Sequence, residues 1–395
     1  MTIVVTGGGS GGHITPLLAV AHELKKQHKD VRIVYIGQKG DNLSDIPAQD
    51  KNIDAVHLVR AGKFRRYHGE GLRQIFDLPT LAKNIRDAIW AIIGVWQSFW
   101  LLRRLKPSVI FIKGGFVGVP VGLSAAMLHI PYVTHDSDAL PGLANRIIAP
   151  WARKHTVALP KEVYSYPADK TEMVGVPLAH HYGPLTAREI HDARKQIGVP
   201  AEGKLLLVTG GGLGAQRLNS AVAACAQELL DRYTDLTIVQ IAGRANEVEL
   251  RQQYKKELPS GLQDRVIVKG FISNLHLYSG AADVILTRAG ATSIAEFAAQ
   301  RKACVVVPNP FLTGGHQLKN AKVLADRMAV KLVSEDKLKA DDHALMPALV
   351  ELFDDPKKAA ALGEKLGGLA EPDSAKRLAV ILLEIASSAV PLENK

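Results

Sequence analysis

His13 closes the run TGGGSGGHITP, residues 6–16, in which five glycines fall between positions 7 and 12. Glycines without side chains let backbone N–H groups approach a phosphate or a sugar, and a helix start attracts negative charge. A histidine at such a start is disfavoured as a cation, so a neutral ring remains that can take a proton from a hydroxyl. The plainer reading is a tight strand-to-helix connection whose histidine only packs. Gly7-x-Gly9-x-x-Gly12 formally matches the dinucleotide fingerprint, which also needs an acid at the end of the second strand. That strand ends in VYIGQKGD, with Gly37 and Gln38 where the acid belongs and Asp41 late. A P-loop is excluded, because no Gly-Lys-Ser/Thr follows this loop or the later GGGLG, residues 210–214.

Three more groups have side chains suited to chemistry. In DVILTRAGATSIAEF, Ser293-x-x-Glu296 fits a helix capping box, which makes Glu296 a cap. The competing reading is a carboxylate that bridges the vicinal hydroxyls of a ribose, and the small Gly290 and Ala291 leave room for one. In PNPFLTGGHQLKNA, His316, Gln317 and Asn320 follow two glycines as a helix begins. Gln317 and Asn320 share one helical face, and amides that donate and accept suit sugar hydroxyls, although polar residues are ordinary at a helix start. Asp136-Ser137-Asp138 spells an Asp-x-Asp that could hold a divalent cation. It lies in the first half of the sequence, two carboxylates specify a cation weakly, and no metal site is expected.

These groups need a scaffold that brings strand ends together. Short apolar, β-branched runs alternate with helical segments: Ile3–Thr6, Val31–Ile36, Val109–Lys113, Tyr132–His135, His155–Leu159 and Met173–Val176, then Leu205–Thr209, Leu236–Ala242, Val266–Lys269, Val284–Thr287, Ala303–Pro308 and Val330–Val333. Near-continuous apolar strands between helices predict parallel sheets covered on both faces. Each half opens alike, with TIVVTGGGSGG and KLLLVTGGGLGA. The expectation is an α/β protein of two doubly wound, Rossmann-like domains, with ligands beyond the strand ends in the cleft between them. Pro177, Gly183 and Pro184 place the boundary near Val174–Leu185, giving residues 1–176 and 177–373. A last helix, about Ser374 to Ala389, is expected to return to the first domain.

The chain has 395 residues, 47% hydrophobic and 22% charged, which is globular and long enough for two domains. Two distant cysteines, Cys225 and Cys304, suggest no disulfide framework. A net charge of +10 suits an anionic partner. The basic residues are dispersed and no nucleic-acid motif is present, so nucleic acid is not expected. No secretory signal opens the sequence, and the longest apolar stretch, Ala88 to Leu102, is shorter than the ~20 residues that span a bilayer. It holds Trp90, Trp96 and Trp100 and is flanked by Lys83, Arg86, Arg103, Arg104 and Lys106. That pattern reads equally as an interfacial helix and as a core helix. The basic, aromatic segment Ala61–Gly71 is a second candidate for lipid contact.

Taken together, GGSGGHITP, GGFVGVPVGLSA (114–125), GATSIAEFAA (290–299) and HQLKNA (316–321) resemble, in order, the MurG family. These are inverting transferases that move N-acetylglucosamine from UDP-N-acetylglucosamine to the lipid-linked peptidoglycan precursor. The resemblance implies a glycosyltransferase-B fold, no cofactor and no obligatory metal. It implies a peripheral place on the anionic cytoplasmic face of the membrane, with an undecaprenyl-linked acceptor. It makes His13 the general base, with Asp136 and Asp138 as alternatives, and sets Ser10, Gly11 and Gly12 against the acceptor diphosphate. Ile272 would read the uracil through its backbone, and Glu296 would hold the ribose. Ala291, Thr292 and Ser293 would lie beside the donor diphosphate. His316, Gln317 and Asn320 would meet the donor sugar, with Gly212 and Asp138 also at the donor.

The sequence departs from the family at three places. His135-Asp136-Ser137-Asp138 stands for His-Glu-Gln-Asn, so an asparagine at the donor sugar becomes Asp138. Gly175-Val176-Pro177-Leu178-Ala179 stands for Gly-Asn-Pro-Val-Arg, which removes an arginine that His180 or His181 would have to replace. Gly212 and Gln216 stand where the family has a serine and an arginine. Two other functions remain open on this reading: a sugar-nucleotide 2-epimerase of the same architecture, and a non-catalytic sugar-nucleotide-binding subunit docked on a membrane partner.

Overall fold

The computed structural model describes residues 1–41, 43–62, 78–211, 215–312, 315–341 and 343–388, with side chains from residue 85 onward in the helix that begins at 78. Gly212 and residues 63–71 of the Ala61–Gly71 segment lie outside the described residues. The chain divides into one unit of Met1–Ala179 with Glu371–Lys395 and a second of His180–Ala370.

The first unit runs β1 (Thr2–Thr6), α1 (Gly11–Gln27), β2 (Arg32–Gln38), α2 (Asp45–Gln49), β3 (Ala55–Val59), α3 (Leu78–Leu105), β4 (Val109–Ile112), α4 (Gly118–Met127), β5 (Tyr132–Asp136), α5 (Leu143–Ile148), β6 (Lys154–Val157) and β7 (Thr171–Met173). The sheet is parallel throughout, in the order β3-β2-β1-β4-β5-β6-β7. Side chains alternate between its faces, as a pleated strand demands. Ile3, Val5, Val109, Phe111 and Val133 meet Leu17, Val20 and Leu24 of α1. Val4, Ile110 and Ile112 meet Leu102 of α3, Val121 of α4 and Ile148 of α5. The order reverses between β1 and β4, so the loops leaving those strands flank the switch point where open sheets bind ligands.

The second unit runs α6 (Ala187–Ile197), β8 (Lys204–Thr209), α7 (Gln216–Arg232), β9 (Leu236–Ile241), α8 (Glu247–Glu257), α9 (Ser260–Gln263), β10 (Val266–Lys269), α10 (Leu275–Ala281), β11 (Val284–Thr287), α11 (Ala291–Ala299), β12 (Ala303–Val306), α12 (His316–Asp326), β13 (Lys331–Leu332), α13 (Glu335–Ala340), α14 (Met346–Asp354) and α15 (Pro356–Gly367). Its parallel sheet is ordered β10-β9-β8-β11-β12-β13, with the switch between β8 and β11. Leu206, Val208 and Leu286 pack with α7 and α14, while Leu207, Ile285 and Val306 pack with Phe297 and Leu324. Both cysteines are buried and free. The last helix, α16 (Ser374–Ser388), belongs to the first unit, where Ala375, Leu378 and Leu382 join the core beneath α1.

One strand is absent from the sequence reading. β3 is the edge of its sheet, and its residues are mostly half-buried, so it lacks the continuous apolar run that marks its neighbours.

Candidate active site

At the first switch point two bare turns pass each other. A Cβ on Gly115 would lie 2.6 Å from the Gly8 carbonyl oxygen, and Gly115 has φ +80°. Gly9, also at φ +80°, donates its N–H to Asp41 Oδ2 at 2.7 Å. Tyr35 donates its hydroxyl to the Gly7 carbonyl at 2.5 Å. Asp41, too late in sequence for the dinucleotide role, thus holds the glycine turn itself.

His13 stands in the first turn of α1, three residues after the N-cap Ser10. Its Nδ1 lies 2.8 Å from the Gly8 carbonyl oxygen and 3.2 Å from Ser10 Oγ. A carbonyl only accepts, so the hydrogen-bond network assigns the neutral ring's proton to Nδ1 and leaves Nε2 as the base. Burial, and then the Lys113 ammonium, push the imidazole down to about 4, against the opposing pull of the Gly8 carbonyl, Asp138 and Asp41. The ring is neutral near pH 7, as expected, but burial is the main cause. So lowered, the ring is a weak base, because an efficient base has a pKa near the working pH.

Asp136 ends β5 and is buried. Its Oδ1 accepts from the Gly142 N–H at 2.8 Å and its Oδ2 from the Tyr166 hydroxyl at 2.8 Å, and burial holds its pKa above the ordinary value. These bonds tie down the loop into α5. Asp138, half-buried, accepts at its backbone carbonyl from the Tyr164 hydroxyl at 3.1 Å. Among the described residues no group of three His, Cys, Asp or Glu side chains is placed to hold a metal ion.

Two residues here escaped the sequence reading. Lys113 follows β4 and is 4% exposed, with its Cβ facing the Gly7 turn. Asn145, 1% exposed, donates Nδ2 to the His135 carbonyl at 2.9 Å and leaves Oδ1 buried without a partner. The legible signal was a lysine directly before Gly114-Gly115 at a strand end.

In the second unit, α11 has Gly290 as its N-cap with no side-chain cap bond. The helix therefore begins before Ser293, and the expected Ser293–Glu296 capping box does not form. Glu296 lies in the second turn, 6% exposed, and accepts a hydrogen bond from the Tyr182 hydroxyl. Burial pushes its carboxyl up to about 8. Ala291, Thr292 and Ser293 are half-buried at the helix start, and the Gly290 Cα faces open space. Arg288, at the foot of the same loop, is buried and pairs with Glu335, while its Nε has no partner.

Gln317 and Asn320 share a buried face of α12, and each is tied to a neighbouring loop. Gln317 Oε1 accepts from the Asn309 N–H at 2.9 Å, and Asn320 Nδ2 donates to the Ala289 carbonyl at 3.0 Å. His316 is the first residue of that helix, and Ile272 is half-buried in the loop after β10. His181 does not supply the missing arginine's charge. Its ring lies 4.1 Å from that of His276, and burial pushes it down to about 4.

α3 is neither wholly core nor wholly surface. Gly94, Ser98 and Leu102 face inward, while Ile85, Ile89, Ile92, Trp96 and Trp100 form one exposed stripe, with Ile92 71% and Trp96 64% exposed. Arg103 and Arg104 continue it, and Arg86 covers Trp90 at 4.5 Å. No helix among the described residues is long and apolar enough to cross a membrane.

The Glycosyltransferase family 28 N-terminal domain matches residues 3–157 and the Glycosyltransferase family 28 C-terminal domain residues 205–378. The UDP-N-acetylglucosamine–N-acetylmuramyl-(pentapeptide) pyrophosphoryl-undecaprenol N-acetylglucosamine transferase of Bacillus licheniformis is 31% identical over 98% of this chain and 99% of its own. The enzyme of the same name from Natranaerobius thermophilus is 29% identical over 97% and 99%. Among solved structures, Acinetobacter baumannii MurG superposes with a TM-score of 0.70 at 22% identity, covering 97% of this chain and 99% of that one. The UDP-GlcNAc 2-epimerase of Neisseria meningitidis, bound to UDP-GlcNAc, gives 0.64 at 14%, covering 97% and 100%, a likeness of fold alone. With two doubly wound parallel sheets and the Bacillus licheniformis relative 31% identical over 98% of this sequence, the chain belongs to the MurG family of glycosyltransferases.

Proposed function

We propose that the protein transfers N-acetylglucosamine from UDP-N-acetylglucosamine to the C4 hydroxyl of N-acetylmuramic acid in an undecaprenyl-pyrophosphoryl-linked acceptor, lipid I, to form lipid II. Family membership supports the reaction, and His13 is the observation that carries the mechanism: a half-buried imidazole whose Nδ1 proton is committed to Gly8 and whose Nε2 is free to accept. The C4 oxygen attacks the anomeric carbon from the face opposite UDP. The new C–O bond forms as the bond to the phosphate oxygen breaks. UDP leaves with the electron pair, and His13 Nε2 takes the hydroxyl proton. Such a displacement needs both reactants aligned and water excluded.

In this reading the second unit holds the donor. Glu296 accepts the ribose hydroxyls, the Ile272 backbone pairs with uracil, and the polar groups of His316, Gln317 and Asn320 meet the sugar. The start of α11 at Ala291–Ser293 offsets the charge that develops on UDP. The first unit holds the acceptor, with Ser10, Gly11 and Gly12 at its diphosphate. No metal or cofactor enters the scheme. The exposed stripe of α3 and its arginines rest on an anionic membrane surface, where each basic residue adds ~1 kcal/mol.

The test is transfer of radiolabel from UDP-N-acetylglucosamine to a short-chain lipid I analogue, with and without EDTA, by wild type, His13→Ala and Glu296→Ala. Product from wild type in EDTA, with kcat lost in the first variant and donor KM raised in the second, supports the reading. Conversion of the donor to its 2-epimer without acceptor, or donor binding without any product, refutes it.

A further inference from the structure

We infer that Lys113 is a further acceptor-binding residue, whose ammonium takes an oxyanion of the acceptor diphosphate beneath the glycine turn, and that this contact switches on His13. The inference rests on the reading of the first unit given above.

Position is the first argument. Lys113 extends the Val109–Phe111 face of β4, the face that α1 covers, and its N–H bonds to the Thr6 carbonyl of β1 at 3.0 Å. It therefore sits at the switch point of the sheet, under the first turn of α1. A buried ammonium is costly, and here it lies near the partial positive charge of a helix start. Asp136 and Asp138 attract it, but Asp136 has engaged both oxygens with Gly142 and Tyr166. An oxyanion brought by substrate adds to the compensation that these carboxylates give.

The second argument is independent of charge. A Cβ on Gly114 would lie 3.7 Å from Asn145 Oδ1 and 3.8 Å from His13 Nε2, so both atoms look onto the same bare Cα. Asn145 Oδ1 is buried with no hydrogen-bond donor. Leaving such an acceptor unmet is unfavourable, and a sugar hydroxyl or acetamido N–H satisfies it. An ammonium, an unmet carbonyl oxygen and a basic nitrogen grouped in this way fit a phosphorylated sugar.

The coupling follows from the neighbours of His13. Lys113 disfavours the imidazolium, while Asp138, Asp41 and the Gly8 carbonyl favour it. Burial, and then the same ammonium, push His135 down as well. An oxyanion on Lys113 cancels its field, so His13 becomes a better base only when acceptor is bound.

The experiment compares the full-length wild type with Lys113→Met and Lys113→Arg. Lys113→Met should raise acceptor KM about 10- to 100-fold, in line with losing a charge-assisted contact. It should leave donor KM within about twofold by the same reasoning and weaken competitive inhibition by inorganic pyrophosphate against the acceptor to the same extent as KM. Because removal of the cation raises the pKa of His13, the acid limb of kcat/KM for the acceptor, at saturating donor, moves to higher pH, while the acceptor KM and the pyrophosphate inhibition are the readouts that a merely structural lysine would leave unmoved. Lys113→Arg keeps the charge and should recover most of the pyrophosphate inhibition. In wild type, pyrophosphate binding followed by calorimetry should weaken above about pH 8, where the Lys113 ammonium, lowered by burial, loses its proton. An active wild type whose Lys113→Met variant keeps acceptor KM, pyrophosphate inhibition and pH profile overturns the inference. So does a change confined to donor KM, which would assign the lysine to UDP. If wild type transfers nothing, the proposed reaction falls, and the calorimetric pH dependence still decides whether Lys113 holds the anion.

Discussion

Replacing Glu296 by glutamine tests the ribose assignment through its charge. The carboxyl titrates near 8 where 4.5 is ordinary, burial being the main cause and the Tyr182 hydroxyl the opposing one. With the folded value raised, Glu296 is a neutral acid below about pH 8 and a carboxylate above it. A ribose diol offers two O–H donors that a carboxylate accepts together, and glutamine has a single carbonyl oxygen to offer. A hydrogen bond to a charged group contributes about 1.5–3 kcal/mol, so above pH 8 Glu296→Gln should raise donor KM about 10- to 150-fold. At pH 6 the wild-type carboxyl must ionise about 2 units below its pKa, which costs about 2.7 kcal/mol and offsets most of that gain. The ratio of donor KM, variant to wild type, should therefore fall toward one between pH 8 and pH 6. Initial rates of UDP release at fixed acceptor, from pH 6 to 9, measure it. A ratio that stays constant across that range refutes the assignment. The same shift acts on stability. Its contribution is full below pH 4.5 and is lost at ~1.4 kcal/mol per pH unit up to about pH 8, so the urea midpoints of variant and wild type should diverge over that window.

His13→Ala should lower kcat about 10²- to 10⁴-fold with donor KM unchanged, the range for loss of a general base. In the wild type at saturating donor the acid limb of kcat/KM for the acceptor should fall near pH 4 and not near 6.5, as a titration of initial rates will show. Gly115→Ala forces a Cβ against the Gly8 carbonyl at a positive φ, a strain of about 1–3 kcal/mol that should lower Tm and raise acceptor KM together. Trp96→Ser with Trp100→Ser should cut co-sedimentation with anionic vesicles at least about tenfold, since each large apolar side chain contributes about 1.5–3 kcal/mol when buried. Turnover of a water-soluble acceptor should be unchanged.

Much of the architecture was legible because buried parallel strands are written as unbroken apolar runs. Val284–Thr287, buried in the middle of its sheet, coincides with β11 to the residue. The edge strand β3 was not legible, since a half-exposed edge needs no such run. Ser293-x-x-Glu296 left a cap and a ribose ligand both open because a capping box is suggested by spacing alone, whereas the helix start was decided by Gly290 and its loop. Tyr182 could not have been found, as nothing in sequence brings it to Glu296, more than a hundred residues away. α3 could be read equally well as core or surface until the packing of Gly94, Ser98 and Leu102 left Ile92 and Trp96 outside.

By itself the sequence determined the doubled α/β pattern, the two glycine turns, the histidine after the first and the acid in the second half, because periodicity and bare turns are local properties of a chain. Only the tertiary structure decided the state of the site. It brought Lys113 beneath the turn of His13, left Asn145 with an unmet acceptor and sank Glu296 until its carboxyl became a weak acid. Burial and through-space charge depend on which distant segments meet, and no spacing along the chain encodes them.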